Sequence, residues 1–204
     1  MVKAYFQMLA YDQDHSLVRK SRKRRSRSFV QGFLKFHFGM LQDGDTLTVT
    51  DTAGASRTLS NNTPDFRISS PGRGGGGINY LGSSYISSTE SGIVVGTGTT
   101  AVTPQDYQLA TLIADGTSAG TLEYFCSAGI GLTVSHPTGS FNIERLWRNS
   151  SSGTITVNEV GIYSVMTVSG ANYGVCILRD LVSPAFSVLN GEYMRIIYTI
   201  SVTV

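Results

Sequence analysis

The sequence predicts an all-β protein: an antiparallel β-sandwich of jelly-roll or immunoglobulin-like type, preceded by a basic N-terminal arm and a short helix. Three observations lead there. Charged residues make up only 15% of the 204, whereas Gly numbers 23 and Ser, Thr and Val are abundant, which is the composition of short strands joined by tight turns. Short apolar runs with a period of two recur through the second half, separated by turn pairs such as Ser152-Gly153, Ser169-Gly170 and Asn190-Gly191. Positive charge is concentrated in one place: Arg19, Lys20, Arg22, Lys23, Arg24, Arg25 and Arg27 fall within nine residues, and outside them nine cations face fourteen acids, a net of −5. An anionic partner would therefore be met through residues 19–27 and not through a generally basic surface.

The reading in order gives two parts, residues 1–42 and 43–204. The opening "MVKAYFQMLAYDQDH" has a short apolar stretch broken by Gln7 and followed by acids, a poor secretory signal. No apolar run approaches the roughly 20 residues that span a bilayer, so no membrane partner is expected and synthesis is placed in the cytoplasm. After the cations, Phe29, Phe33, Phe36 and Met40 recur at helical spacing, with Ser28 as a cap and Asp43-Gly44 as a stop. This stripe is expected to pack on the body or on a neighbouring copy, since exposed aromatic stripes seldom persist on monomers. "TLTVT" and "SRTL" then read as a hairpin around Gly54.

Residues 69–92 are dense in Gly and Ser and read as a long loop; the G-x-G-x-x-G match from Gly72 to Gly77 neither follows a strand nor opens a helix, as a dinucleotide site requires. Beyond it "GIVVG", "TLEYFC", "GLTV", "SFNIERLWR", "TITVNEVGIYSV", "YGVCILRDL" and "EYMRIIYTISVTV" read as strands. The last puts Met194, Ile196, Tyr198, Ile200 and Val202 on one face.

Chemistry is sparse. Gly116-Thr117-Ser118-Ala119-Gly120 satisfies the nucleophile-elbow pattern, but strand-like "TLEYFC" follows where the elbow needs a helix. His15, His37 and His136 have no carboxylate in local register, and Cys126 and Cys176 lack metal-site or disulfide-framework spacing and read as reduced core residues. No catalytic residue, metal ligand or cofactor is assigned, and the chain is read as a non-enzyme.

The stretches "SRSFVQGFLKFHF", "SGIVVGTGTTAVTPQDYQLATLIADGTSAGTLEY", "RLWRNSSSGTITVNEVGIYSV" and "CILRDLVSPAFSVLNGEYMRIIYTISVTV" together resemble structural proteins of tailed bacteriophages. The resemblance implies a virion component of the tail, neck or head surface, with a β-sandwich body present in symmetric multiple copies. Its partners would be copies of itself and other virion proteins. Three roles are open for residues 19–27. Seven cations would neutralise about six phosphates of packaged nucleic acid, with a salt slope steep enough to lose roughly a thousandfold in affinity between 50 and 200 mM. Alternatively they dock on acidic surfaces of neighbouring copies, or form a solvated arm with no partner. The runner-up function is an icosahedral capsid protein that binds nucleic acid through this arm; a carbohydrate-binding module is third.

Overall fold

A computed structural model of the chain describes residues 2–26, 28–39, 46–60, 89–168 and 171–203, with the side chains of 36–39, 46, 59, 60, 126, 128–130 and 167 outside that description. The expected stripe residue Phe36, the cation Arg27, the cysteine Cys126 and the glycine run from Gly72 to Gly77 accordingly lie, in whole or in their side chains, outside the described residues.

The chain is nearly all-β. In order it forms β1 (Val2–Tyr11), β2 (Leu17–Lys20), β3 (Arg24–Ser26), one helix α1 (Gln31–Gly39), β4 (Thr46–Thr50), β5 (Ser56–Ser60), β6 (Gly92–Gly96), β7 (Glu123–Ser135), β8 (Thr138–Arg148), β9 (Ile155–Val168), β10 (Ala171–Val188) and β11 (Tyr193–Thr203). All pairings between these strands are antiparallel. The largest sheet runs β2-β1-β11-β8-β7, with β3 continuing the β2 edge alongside β1; a second runs β10-β9-β6, and β4-β5 is the expected hairpin. Side chains from the two larger sheets share one buried cluster, in which Trp147, Tyr198, Phe6, Met8, Ile93, Ile162 and Leu178 are almost completely enclosed. Truncating one of the enclosed aromatics to Ala would cost about 3–5 kcal/mol.

The N-terminal segment differs from the expected arm. β1 pairs with β11 over ten residues, from Val2 opposite Val202 to Tyr11 opposite Tyr193. The physical reason is its alternation: Ala4, Phe6, Met8 and Ala10 are buried while Lys3, Tyr5, Gln7 and Tyr11 stay half-exposed. The basic segment folds back along it, with Leu17–Lys20 opposite the end of β1 and Arg24–Ser26 opposite Phe6, Tyr5 and Ala4. Three strands, Val2–Tyr11, Leu17–Lys20 and Arg24–Ser26, thus join this segment to the large sheet.

The helix also begins later than the Ser28 cap implies. Ser28 O accepts the Arg179 amide at 3.1 Å, the Val30 amide donates to Ile177 O at 3.2 Å, and Phe29 bridges Leu178, so residues 28–30 line the outer edge of β10 before the chain can coil. Gly32 then lets the helix lie on that strand, since a Cβ there would sit 2.1 Å from Cys176 O. Between the large sheets, Arg145 acts as a staple. It is 2% exposed, its Nε donates to Phe125 O at 2.6 Å, and its Nη1 donates to Ser91 O and Ile93 O at 2.8 and 3.0 Å.

Candidate functional site

The cations of residues 19–25 divide by strand parity. Arg19 lies opposite Ala10 on the core-side face, where its guanidinium forms a two-pronged pair with Glu192 and donates to Ser187 O at 2.8 Å. Glu192 in turn accepts the Leu189 amide at 2.8 Å, so Arg19 fastens β2 to the turn before β11. Arg24, opposite Phe6, donates to Pro184 O at 3.3 Å. Lys20, Arg22, Lys23 and Arg25 are exposed instead. Lys20 lies opposite Leu9 and Arg25 opposite Tyr5, so both project from the outer face, and the Lys23 ammonium sits 5.3 Å above the Tyr5 ring. Two cations therefore hold the fold and four face solvent.

Two residues of the aromatic stripe, Phe29 and Phe33, pack on the chain's own core. They stack on each other at 4.2 Å and lie, half-buried, against the main cluster, the first of the two expected placements. Leu34 on α1 is 67% exposed.

A different apolar surface is exposed. The core-side face of the large sheet carries a row in which Val134 is opposite Gly139, Gly139 opposite Val202, and Val202 opposite Val2; the next row places Phe141 beside Ile200 and Ala4. Along β11 the expected apolar face is buried at Met194, Ile196 and Tyr198, half-buried at Ile200 and 45% exposed at Val202. Val134 is 81% exposed, Leu132 77%, Val2 49% and Phe141 39%. The large sheet thus runs past its cover and leaves an overhanging apolar end. A cavity of about 270 Å³ lies beside it, lined by Val2, Lys3, Ala4, Arg25, Ser26 and Phe29.

One buried ionic cluster was not foreseen. Glu159, fully buried on β9, accepts the amides of Gly98, Ala110 and Thr111 at 3.0, 3.0 and 2.8 Å and Arg179 Nε at 2.8 Å. Arg179 spends its other nitrogens on Asp106 Oδ2 at 2.6 Å and Thr100 O at 2.9 Å. Asp106 also accepts the Thr103 amide and hydroxyl. Burial alone would raise the Asp106 pKa, but the Arg179 and Thr103 hydrogen bonds outweigh it and hold the carboxyl below its usual value; the same carboxylates raise Arg179 against its own burial. Tyr163, a buried residue of the same face, accepts the Leu109 amide at 2.6 Å. With the carboxylate contacts confined to Arg179 on β10 and to groups of the 97–111 loop, this cluster is a clip that holds the loop to the sheet. The alternation in "NEVGIY", which puts Glu159, Gly161 and Tyr163 on one face, was its only trace in the sequence.

The residues tested as chemistry lie apart. Ser118 is exposed in a turn whose Ser118 O accepts the Thr121 amide and hydroxyl, and that turn leads into β7. His15 and His136 are exposed; His15 stacks 4.9 Å from Tyr193. Cys176 is buried, and desolvation pushes its thiol up to about 12. Among the described residues no group of three or more His, Cys, Asp or Glu is placed to hold a metal, and no helix is long and apolar enough to cross a membrane. Trp147, the single tryptophan, is fully enclosed and offers no sugar platform. Comparison with protein-family models, curated proteins and solved structures found no match.

Proposed function

We propose that this chain is a non-enzymatic structural protein of a virion, with a β-sandwich body whose copies join into a closed homo-oligomer through the overhanging end of the large sheet. The carrying observation is the row Val134, Gly139, Val202 and Val2 with Phe141 beside it, an exposed apolar end of a sheet face that is buried at Met194, Ile196 and Tyr198. This moves the assembly contact from Phe29, Phe33 and Phe36 to the ends of β1, β7, β8 and β11. The resemblance of the quoted sequence stretches to tailed-phage structural proteins supports the setting, a tail, neck or head-surface component synthesised in the host cytoplasm.

Light scattering tests the assembly, with Val134→Glu/Val202→Glu as the comparison. Both positions are solvent-facing, so the variant should keep the emission of enclosed Trp147 and fall to a monomer. A wild-type chain that stays monomeric at every concentration would sink the reading. Mass spectrometry of purified particles tests the virion setting, where the chain should be a multi-copy component. A second reading, contact with packaged nucleic acid, is favoured by the four solvent-facing cations Lys20, Arg22, Lys23 and Arg25.

A further inference from the structure

The sequence alone argues against a base-stacking platform, because no aromatic interleaves the cations before Phe29. The sheet supplies what the linear order lacks. On the outer face of β1, Tyr5 lies opposite Arg25 and beneath the Lys23 ammonium, with Lys3 two residues away on the same face. At the other end, Tyr11 lies opposite Tyr193, and the Arg148 guanidinium stands 5.6 Å over the Tyr193 ring. Six residues separate Tyr5 from Tyr11, so the two tyrosine groups are roughly 20 Å apart along one strand. Between them Gln7 on β1 and Arg195, Ile197 and Thr199 on β11 are half-exposed, as are all three tyrosines, while Leu9, opposite Lys20, is covered.

The charge on this face is one-sided. Lys3, Lys20, Lys23, Arg25, Arg148 and Arg195 project from it, against Glu144, which pairs with Arg195, and Glu123, which lies opposite Arg148. A surface that combines an excess of cations with half-exposed tyrosine rings, Tyr193 also flanked by His15 at 4.9 Å, fits a ligand that is itself a chain of anions bearing flat apolar groups. That is single-stranded nucleic acid. Duplex DNA offers the same phosphates but keeps its bases stacked inside, out of reach of rings on a flat sheet.

We propose that the outer face of the β2/β3-β1-β11-β8 sheet binds single-stranded nucleic acid, its bases stacking on Tyr5, Tyr11 and Tyr193 and its phosphates meeting Lys20, Lys23 and Arg25. This rests on the second reading above, and it places contact on a sheet surface instead of a free arm. It is independent of the apolar overhang, which lies on the opposite face.

The test is fluorescence anisotropy with a labelled 20-nucleotide oligothymidine and a 20-base-pair duplex, each titrated with the full chain between 50 and 200 mM salt. The single strand should bind at least about tenfold tighter than the duplex. Tyr5→Ser and Tyr193→Ser should each weaken it roughly tenfold with the salt slope unchanged, while Tyr5→Phe keeps wild-type affinity, because the ring and not the hydroxyl makes the contact. Lys20→Ser/Lys23→Ser/Arg25→Ser should lower the slope by about two, since single strands release about 0.7 counterions per phosphate. Equal affinity for strand and duplex with no effect of the tyrosine variants would overturn the platform and leave a purely cationic contact. Absence of binding to either probe at 50 mM salt would overturn the nucleic-acid reading as well. Trp147 emission verifies that each variant is folded.

Discussion

Replacing Arg179 with Met strands a carboxylate. Glu159 is fully buried and keeps three amide donors, but it loses the Arg179 countercharge that contacts it directly. Asp106 loses the same partner, and Thr100 O loses its donor. Met fills most of the vacated space, so the cost is electrostatic and not that of a large cavity. Breaking a buried pair from one side costs about 3–5 kcal/mol, a large part of the 5–15 kcal/mol that holds a typical domain. With a urea slope of about 2 kcal/mol per molar, the unfolding midpoint should fall by roughly 2 M. Trp147 is the assay, because it is the single tryptophan and fully enclosed, and its emission reports global unfolding. The double variant Arg179→Met/Glu159→Gln removes both charges and should recover much of the loss, which a simple packing defect would not do. Hydrogen exchange should show the amides of Gly98, Ala110 and Thr111 losing protection first. A midpoint shift below about 0.5 M, or a double variant that costs the sum of the singles, would refute the view that the pair clips the 97–111 loop to the sheet.

Acid should destabilise the protein through Asp51 and Asp106, whose carboxyls are held below the usual carboxylate range because hydrogen bonds from Arg57 and Arg179 and from backbone amides outweigh burial. A lowered folded pKa contributes stability that is present above the unfolded pKa, near 4, and lost as pH falls through the folded value, so urea midpoints should be flat above about pH 5 and drop steadily below 4. Gly161→Ala should cost about 1–3 kcal/mol, read as a lower Tm, since its Cβ would stand 2.7 Å from Leu178 O and 3.0 Å from Leu109 Cδ2. Cys176 should resist alkylation at pH 8 in the folded protein and react fully in urea, as peptide mapping after iodoacetamide would show; its raised pKa and burial act in the same direction.

What could be read from the sequence follows the range of the interactions. The β4-β5 hairpin was legible because "TLTVT" and "SRTL" are separated only by a Gly54 turn, and Gly54 indeed takes a φ of 83°. β6 was legible because "GIVVG" is an unbroken apolar run, and all five of its residues are buried. β1 was not, although Ala4, Phe6, Met8 and Ala10 alternate, because Tyr5 and Leu9 blur the polar face and its partner β11 is almost the whole chain away. Seeing the seven cations as a linear run concealed their parity. Once they are placed on a strand, Arg19 and Arg24 turn toward the 184–192 segment and Lys20 and Arg25 turn away from it. The Glu159–Arg179–Asp106 cluster was equally hidden, since its members lie 20 and 73 residues apart in the chain and nothing in their spacing marks them as partners. The overhang was hidden for a different reason: Val202 and Met194 look identical in an alternating pattern, and only the length of the covering sheet tells them apart.

The position of the cations also bears on how copies can meet. β2 and β3 form one outer edge of the large sheet, and an open edge is a template for strand pairing with another chain. Dense like charge is a common protection, because two such edges brought together would face cation against cation. The β2/β3 edge is therefore poorly suited to self-pairing, and the proposed contact between copies falls on the apolar overhang and the β7 edge. β7 carries the 81%-exposed Val134 and the 77%-exposed Leu132 and only one charged residue, Glu123, so the edge without electrostatic protection is also the one that bears the apolar surface. On the proposed function the two edges of this sheet would divide the work, the cationic β2/β3 edge meeting polyanions and the apolar β7 edge a second copy.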